Sequence, residues 1–207
     1  MFAHLIYTTA LALSIATINC APQPRDNSLP DCAAAPAECK CPAGTTLQPS
    51  STYALIGASA KDVKAITGSF FETAWFGSSP QAVSGYDNKP GATRTFSGST
   101  SVGTYTFVEK LVSYKEYNDG SFTMLFEQDN GPIPYKNGTG SFSGYWDTLS
   151  VKYADAHETL IYWDIYVCWT GVVSDNKAFH ESAINNVTSI LKSQGKLLGH
   201  SEPPVSF

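Results

Sequence analysis

Tyr105, Phe107, Glu109 and Leu111 alternate along one predicted strand and so share a face. Three of the four are apolar or amphipathic, which makes the carboxylate the exception. A Glu facing an apolar interior has its pKa raised by desolvation and can serve as acid, base or ligand anchor. The bland alternative is a surface Glu beside Lys110, reached if a bulge shifts the register. Arg94 would neutralise an acidic ligand at a cavity mouth; the commoner arrangement pairs such an Arg with a carboxylate on the outer face. Asp147 shares parity with Tyr145, Leu149 and Val151, and its expected place is a solvated edge. His180 lies beside the apolar stripe of the last helix, either as a proton-transfer group at a pocket entrance or as a partly buried structural residue. Tyr105, Phe107, Met124, Phe126, Tyr145, Trp163 and Phe179 are candidate cavity walls. No nucleophile motif, phosphate loop or zinc-ligand spacing is visible, so no metal or cofactor is expected.

Positioning these residues requires a particular order of elements. A short strand near 53–56 precedes Ser59-Ala60-Lys61-Asp62, which has the spacing of a capping box, with Val63 and Ile66 behind it. Gly68-Ser69 ends that helix, and a second short helix is expected over 70–76. Strands are then predicted over 82–86, 92–97, 105–117, 122–127, 142–153 and 159–170, with Asn118-Asp119-Gly120 as a hairpin turn. In the last strand Ile161, Trp163, Ile165, Val167 and Trp169 share the inward face, and Cys168 points outward. A long helix from 174–175 to 198, stopping at Gly199, carries Phe179, Ala183, Val187, Ile190, Leu191 and Leu198 in one stripe. A sheet that curls around such a helix must fill its interior with side chains or with a guest.

A net charge of −5 and the lack of any Lys/Arg stripe exclude a nucleic-acid footprint. Residues 1–20 read as a signal peptide: 5–18 are apolar but too short, and too rich in Ser and Thr, to span a bilayer. With Cys20 removed, Cys32, Cys39, Cys41 and Cys168 remain, an even number that suits two disulfides in an exported chain. Cys32 is expected to bond Cys39 or Cys41, and the other to reach Cys168; a metal site is the rival reading. Sequons at Asn137 and Asn186 fit export, the second lying inside the last helix. The division is thus a signal peptide (1–20), a Cys/Pro-rich arm (21–44), a folded domain (45–199) and a flexible tail (200–207).

Three strings, Pro90-Gly91-Ala92-Thr93-Arg94, Val108-Glu109-Lys110-Leu111-Val112 and Asn130-Gly131-Pro132-Ile133, together with the element order, resemble the helix-grip superfamily. That superfamily includes START-type lipid carriers, polyketide cyclases and birch-pollen-type allergens. The resemblance covers about residues 50–198. It implies an α+β fold in which a seven-stranded antiparallel sheet wraps a long C-terminal helix, with a short helical pair after the first strand. In hormone-receptor-like members the Glu matching Glu109 lines the pocket. The glycine-rich loop of the allergens is replaced here by Asp87-Asn88-Lys89-Pro90-Gly91. The first functional expectation is a secreted, monomeric binder of a hydrophobic small molecule, without integral membrane contact. Its rivals are a cyclase or isomerase with Glu109 as base, assisted by Tyr105 or His180, and an interaction protein with a collapsed cavity. A lipocalin-like barrel is the rival fold, and the early helical pair counts against it.

Overall fold

The structure, a computed structural model, describes residues 28–100, 103–135, 138, 140–171 and 175–207. The expected signal peptide lies outside the described residues.

The order is β1 (Thr46–Ile56), α1 (Ala60–Thr67), a single 3-10 turn (Ala74–Phe76), β2 (Ala82–Ser84), β3 (Thr93–Thr100), β4 (Gly103–Glu116), β5 (Phe122–Gln128), β6 (Ile133–Pro134), β7 (Gly140–Asp155), β8 (Glu158–Gly171), α2 (Asn176–Ser193) and β9 (Glu202–Ser206). One antiparallel sheet runs β2-β3-β4-β5-β7-β8-β1-β9, with β6 paired to β7. This is the α+β helix-grip class, with nine strands among the described residues where seven were expected. The two additions are the short β6 and the terminal β9. Long-range pairing of β1 with β8 closes the order, and β4, β5, β7 and β8 form the long central span.

Alternation explains the strands. In β5 every second residue from Phe122 to Gln128 is buried, and in β8 the inward set Ile161, Trp163, Ile165, Val167 and Trp169 is buried as the period of two requires. Helix α1 starts at Ser59, whose hydroxyl accepts from the Asp62 backbone N–H at 3.2 Å. Helix α2 buries His180, Ala183, Ile184, Val187 and Leu191, a stripe at helical spacing laid on the concave face.

Three sequence expectations are corrected. The second short helix is only one 3-10 turn, because Ser69 and Thr73 spend their hydroxyls on local backbone and on Asp87 instead of supporting a longer helix. Helix α2 stops near Ser193, not Gly199. Gly195 takes φ +68°, its N–H bonds Lys192 O at 3.0 Å and the Lys196 N–H bonds Leu191 O at 2.9 Å, a Schellman termination. Leu198 therefore lies beyond the helix and is exposed. Nor is 200–207 a free tail. The Leu198 and Gly199 N–H groups both bond Gly57 O, where a Cβ on Gly57 would stand 2.2 Å from Gly199 O, and the chain then runs back along β1 as β9. An uncovered β1 would present unpaired backbone to solvent; β9 satisfies part of it, and Pro203-Pro204 is tolerated because this is the sheet's edge.

The core falls into two clusters. One, including Phe70, Leu111, Met124, Ile161, Ile184 and Leu191, fills the space between α1, α2 and the sheet. The other gathers Ile133, Tyr135, Phe142, Tyr145, Val167 and Trp169 near the opposite end. Outside the sheet the arm is pinned by Cys32–Cys39 and Cys41–Cys168, which decides between the pairings left open by the sequence. No helix among the described residues is long and apolar enough to cross a membrane.

Candidate functional site

Between the two clusters lies a cavity of about 560 Å³, bounded by the inner faces of β3, β4, β7 and β8, by the 3-10 turn, and by the first turn of α2. Its wall is mainly aromatic and aliphatic, with a few polar side chains converging on one region.

Strand register brings those groups together. Arg94 on β3 sits opposite Glu109 on β4, and Tyr145 and Asp147 project inward from β7. Arg94 is 3% exposed, and its Nε donates to Glu109 Oε2 at 2.5 Å while Nη1 donates to Phe70 O at 2.6 Å. Its guanidinium carbon lies 4.2 Å from the Phe70 ring centroid and 4.6 Å from that of Phe126, so ring faces replace lost hydration. The Tyr145 hydroxyl donates to Glu109 Oε1 at 2.9 Å. Both oxygens of Glu109 are thus engaged. Asp147 accepts from Trp163 Nε1 at 2.9 Å, and burial, reinforced by the nearby Glu109, pushes its carboxyl well above the usual carboxylate range. Burial likewise drives the Tyr145 phenol well above its ordinary value.

His180 enters from α2. Its ring stacks on Trp163 with centroids 4.0 Å apart and planes 10° apart, and Nδ1 lies 3.4 Å from Thr52 Oγ1. Desolvation lowers its pKa to about 3, so the imidazole is neutral at physiological pH.

The wall residues expected from sequence are placed as follows. Arg94, Tyr105, Phe107, Glu109, Phe126, Tyr145, Trp163, Phe179 and His180 all line the cavity; Met124 does not. Met124 faces the concave side but at a deeper level, inside the core beneath α2. Two expectations about polar groups are overturned. Arg94 does pair with a carboxylate, but inside the sheet and not on its outer face. Asp147 is buried at 5% exposure and not a solvated edge residue, because β7 is a central strand between β5 and β8. The bulge that would have turned Glu109 outward falls after it, between Leu111 and Ser113. Sequence reasoning also passed over Phe96, Phe142, Ile165, Val167 and Trp169 as wall; the alternation of β8 already put three of them inward.

Asn137 lies outside the described residues. Asn186 Nδ2, the atom a glycan would modify, donates to Trp75 O at 2.7 Å.

The architecture and the cavity between sheet and helix define a helix-grip protein. A family model described as a START domain matches residues 48–207, and the chain belongs to that family. No curated protein matches. Among solved structures, the chain resembles the ZhuI aromatase/cyclase from Streptomyces sp. R1128 at 10% identity and TM-score 0.51, covering 72% of this chain and 96% of that one. It also resembles a norcoclaurine synthase point mutant from Thalictrum flavum at 10% identity and TM-score 0.50, covering 74% and 99%. At such identity the likeness speaks for the fold alone.

Proposed function

We propose that this is a secreted protein that holds a hydrophobic small molecule, lipid- or polyketide-like, between the sheet and α2. The observation that carries the reading is the 560 Å³ cavity, whose size falls in the range of drug-sized ligand sites and whose wall is mostly apolar with a few convergent polar groups. A collapsed-cavity interaction protein fits that volume poorly. Export is supported by the two disulfides, which persist in oxidising compartments; a glycan at Asn137 belongs to the same reading. The wall residues would act as ligand contacts, with Arg94 and Glu109 forming the polar end.

A cyclase- or isomerase-type enzyme is the second reading, favoured by one observation. Asp147 lines the cavity, and burial together with the nearby Glu109 shifts its carboxyl toward the protonated form, the direction a general acid needs. Glu109 suits a base less well, as both its oxygens accept hydrogen bonds. His180, neutral and stacked, would orient and not protonate. The ZhuI aromatase/cyclase shows that this fold can house cyclisation chemistry.

Native mass spectrometry of the protein recovered from culture medium tests the first reading. A guest mass that disappears on solvent extraction, together with uptake of an apolar fluorophore by the stripped protein, is the expected result. A bare chain that takes up no fluorophore would sink both cavity readings.

A further inference from the structure

The polar end of the cavity is already neutral. Among the described residues lining it, Arg94 is the one cation, and Glu109 compensates it directly at 2.5 Å. The guanidinium gives a second N–H to Phe70 O and is flanked by the Phe70 and Phe126 rings, so it is satisfied without any ligand. The remaining acidic groups on the wall are Asp147, within, and Asp175, at the N-terminus of α2. His180 adds no positive charge. An anion entering this space would give up its hydration and meet no uncompensated cation, with carboxylates nearby. A neutral acceptor meets a different surface. Asp147 Oδ1 accepts from Trp163 Nε1, and burial with the nearby Glu109 favours the protonated carboxyl, whose O–H on Oδ2 is a donor on a mostly apolar wall.

We infer that the cavity is built for an uncharged hydrophobic ligand bearing a hydrogen-bond acceptor such as a ketone, and that the Arg94–Glu109 pair makes it reject the carboxylate of a fatty acid. The inference rests on the cavity being a ligand site and names what that site selects. Glu109 is the specificity determinant, since it cancels the charge that would otherwise attract an anion. Asp147 is the ligand's donor.

Three probes of matched shape decide it: 2-acetonaphthone, 2-naphthoate and 2-naphthylmethylamine, titrated calorimetrically into the full chain near pH 7.5. The ketone is expected to bind at least about tenfold tighter than either ion, a difference of about 1.4 kcal/mol. In Glu109→Gln the unpaired Arg94 should shift the naphthoate-to-ketone affinity ratio by about tenfold toward naphthoate. Asp147→Asn, which keeps a donor and the acceptor for Trp163, should hold ketone affinity within about threefold, whereas Asp147→Leu should lose it. Naphthoate or the amine binding as well as the ketone would overturn the inference while leaving the cavity reading intact. An unchanged ratio in Glu109→Gln would do the same. Absence of heat with all three probes would overturn the cavity reading itself, and this inference with it. The wild-type ranking needs no variant, so a misfolded Glu109→Gln does not shelter the inference.

Discussion

Two buried titratable side chains meet the same link, Trp163, Asp147 at its indole N–H edge and His180 on its ring face, and pull stability in opposite directions with pH. His180 has a folded pKa of about 3 against an ordinary 6.5. The unfolded chain therefore takes up a proton below pH 6.5 that the folded chain refuses, and stability present above that pH is lost as pH falls toward 3. Asp147 is the reverse case, its carboxyl raised above the ordinary 3.8 by burial first and by Glu109 second. Its stability contribution is full below the unfolded value and declines as pH rises toward the folded one. Asp147→Asn removes this second dependence, and the groups that do not interact with Asp147, His180 among them, cancel in the comparison. Urea unfolding at several pH values should show the Asn variant gaining on wild type by up to about 1.4 kcal/mol per pH unit above about pH 4. Parallel pH profiles would mean that Asp147 ionises normally in the fold. At this scale Glu109 was legible, because its parity with Tyr105 and Phe107 is a period-two fact. The depth of Asp147 was not, since parity gives a face but not whether the strand is central or at an edge.

Elements were legible where periodicity or capping chemistry marked them. Ser59-x-x-Asp62 announced α1, and the alternating β8 read correctly; of the α2 stripe, Ala183, Val187 and Leu191 are buried, whereas Phe179 is exposed and Leu198 lies beyond the helix. What misled was Pro and Gly. Pro203-Pro204 made β9 look like an unstructured end, yet an edge strand with one free side can carry prolines. Pro49 likewise hid the first half of β1, although β9 pairs with β1 only from Ser51 onward and so leaves Pro49 without a second neighbour. Lys196 and Gly195 close α2 in a six-residue motif that cannot be told, from sequence alone, from a stop four residues later at Gly199. The consequence is a prediction about β9. Its Ser206 hydroxyl lies 2.8 Å from Thr52 Oγ1, the same oxygen that faces His180, and Phe207 leans on Tyr53 with centroids 5.9 Å apart. Truncation after His200 would strip β1 of this cover and expose Thr52. Size-exclusion chromatography should then show dimers or higher species of the truncated chain at concentrations where the full chain is a single species. A truncated protein that elutes unchanged would mean that β1 needs no cover.

For the whole molecule, the question is what ties an arm whose described residues hold only one short 3-10 turn to a sheet that folds around its own helix. The two bridges are unequal. Cys32–Cys39 closes 7 residues and constrains only the arm, while Cys41–Cys168 spans 127 residues and joins the arm to β8, the strand that supplies Trp163, Ile165, Val167 and Trp169 to the cavity. Chain-entropy reasoning assigns a closure of that length about 4–5 kcal/mol. Cys168 is fully buried and stands on the face of β8 opposite the cavity wall, so the bridge constrains the unfolded chain without touching the site. Replacing Cys41 and Cys168 by Ser should therefore lower the thermal midpoint by about 10 °C or more, at 2–4 °C per kcal/mol for a chain of this size. Replacing Cys32 and Cys39 should cost less, following the logarithm of loop length. Affinity for a cavity probe, measured well below the lowered midpoint, should stay within about twofold in both variants, because none of the described wall residues belongs to the arm. A fall in affinity that matches the fall in midpoint would instead mean that β8 is held in its binding register by the arm.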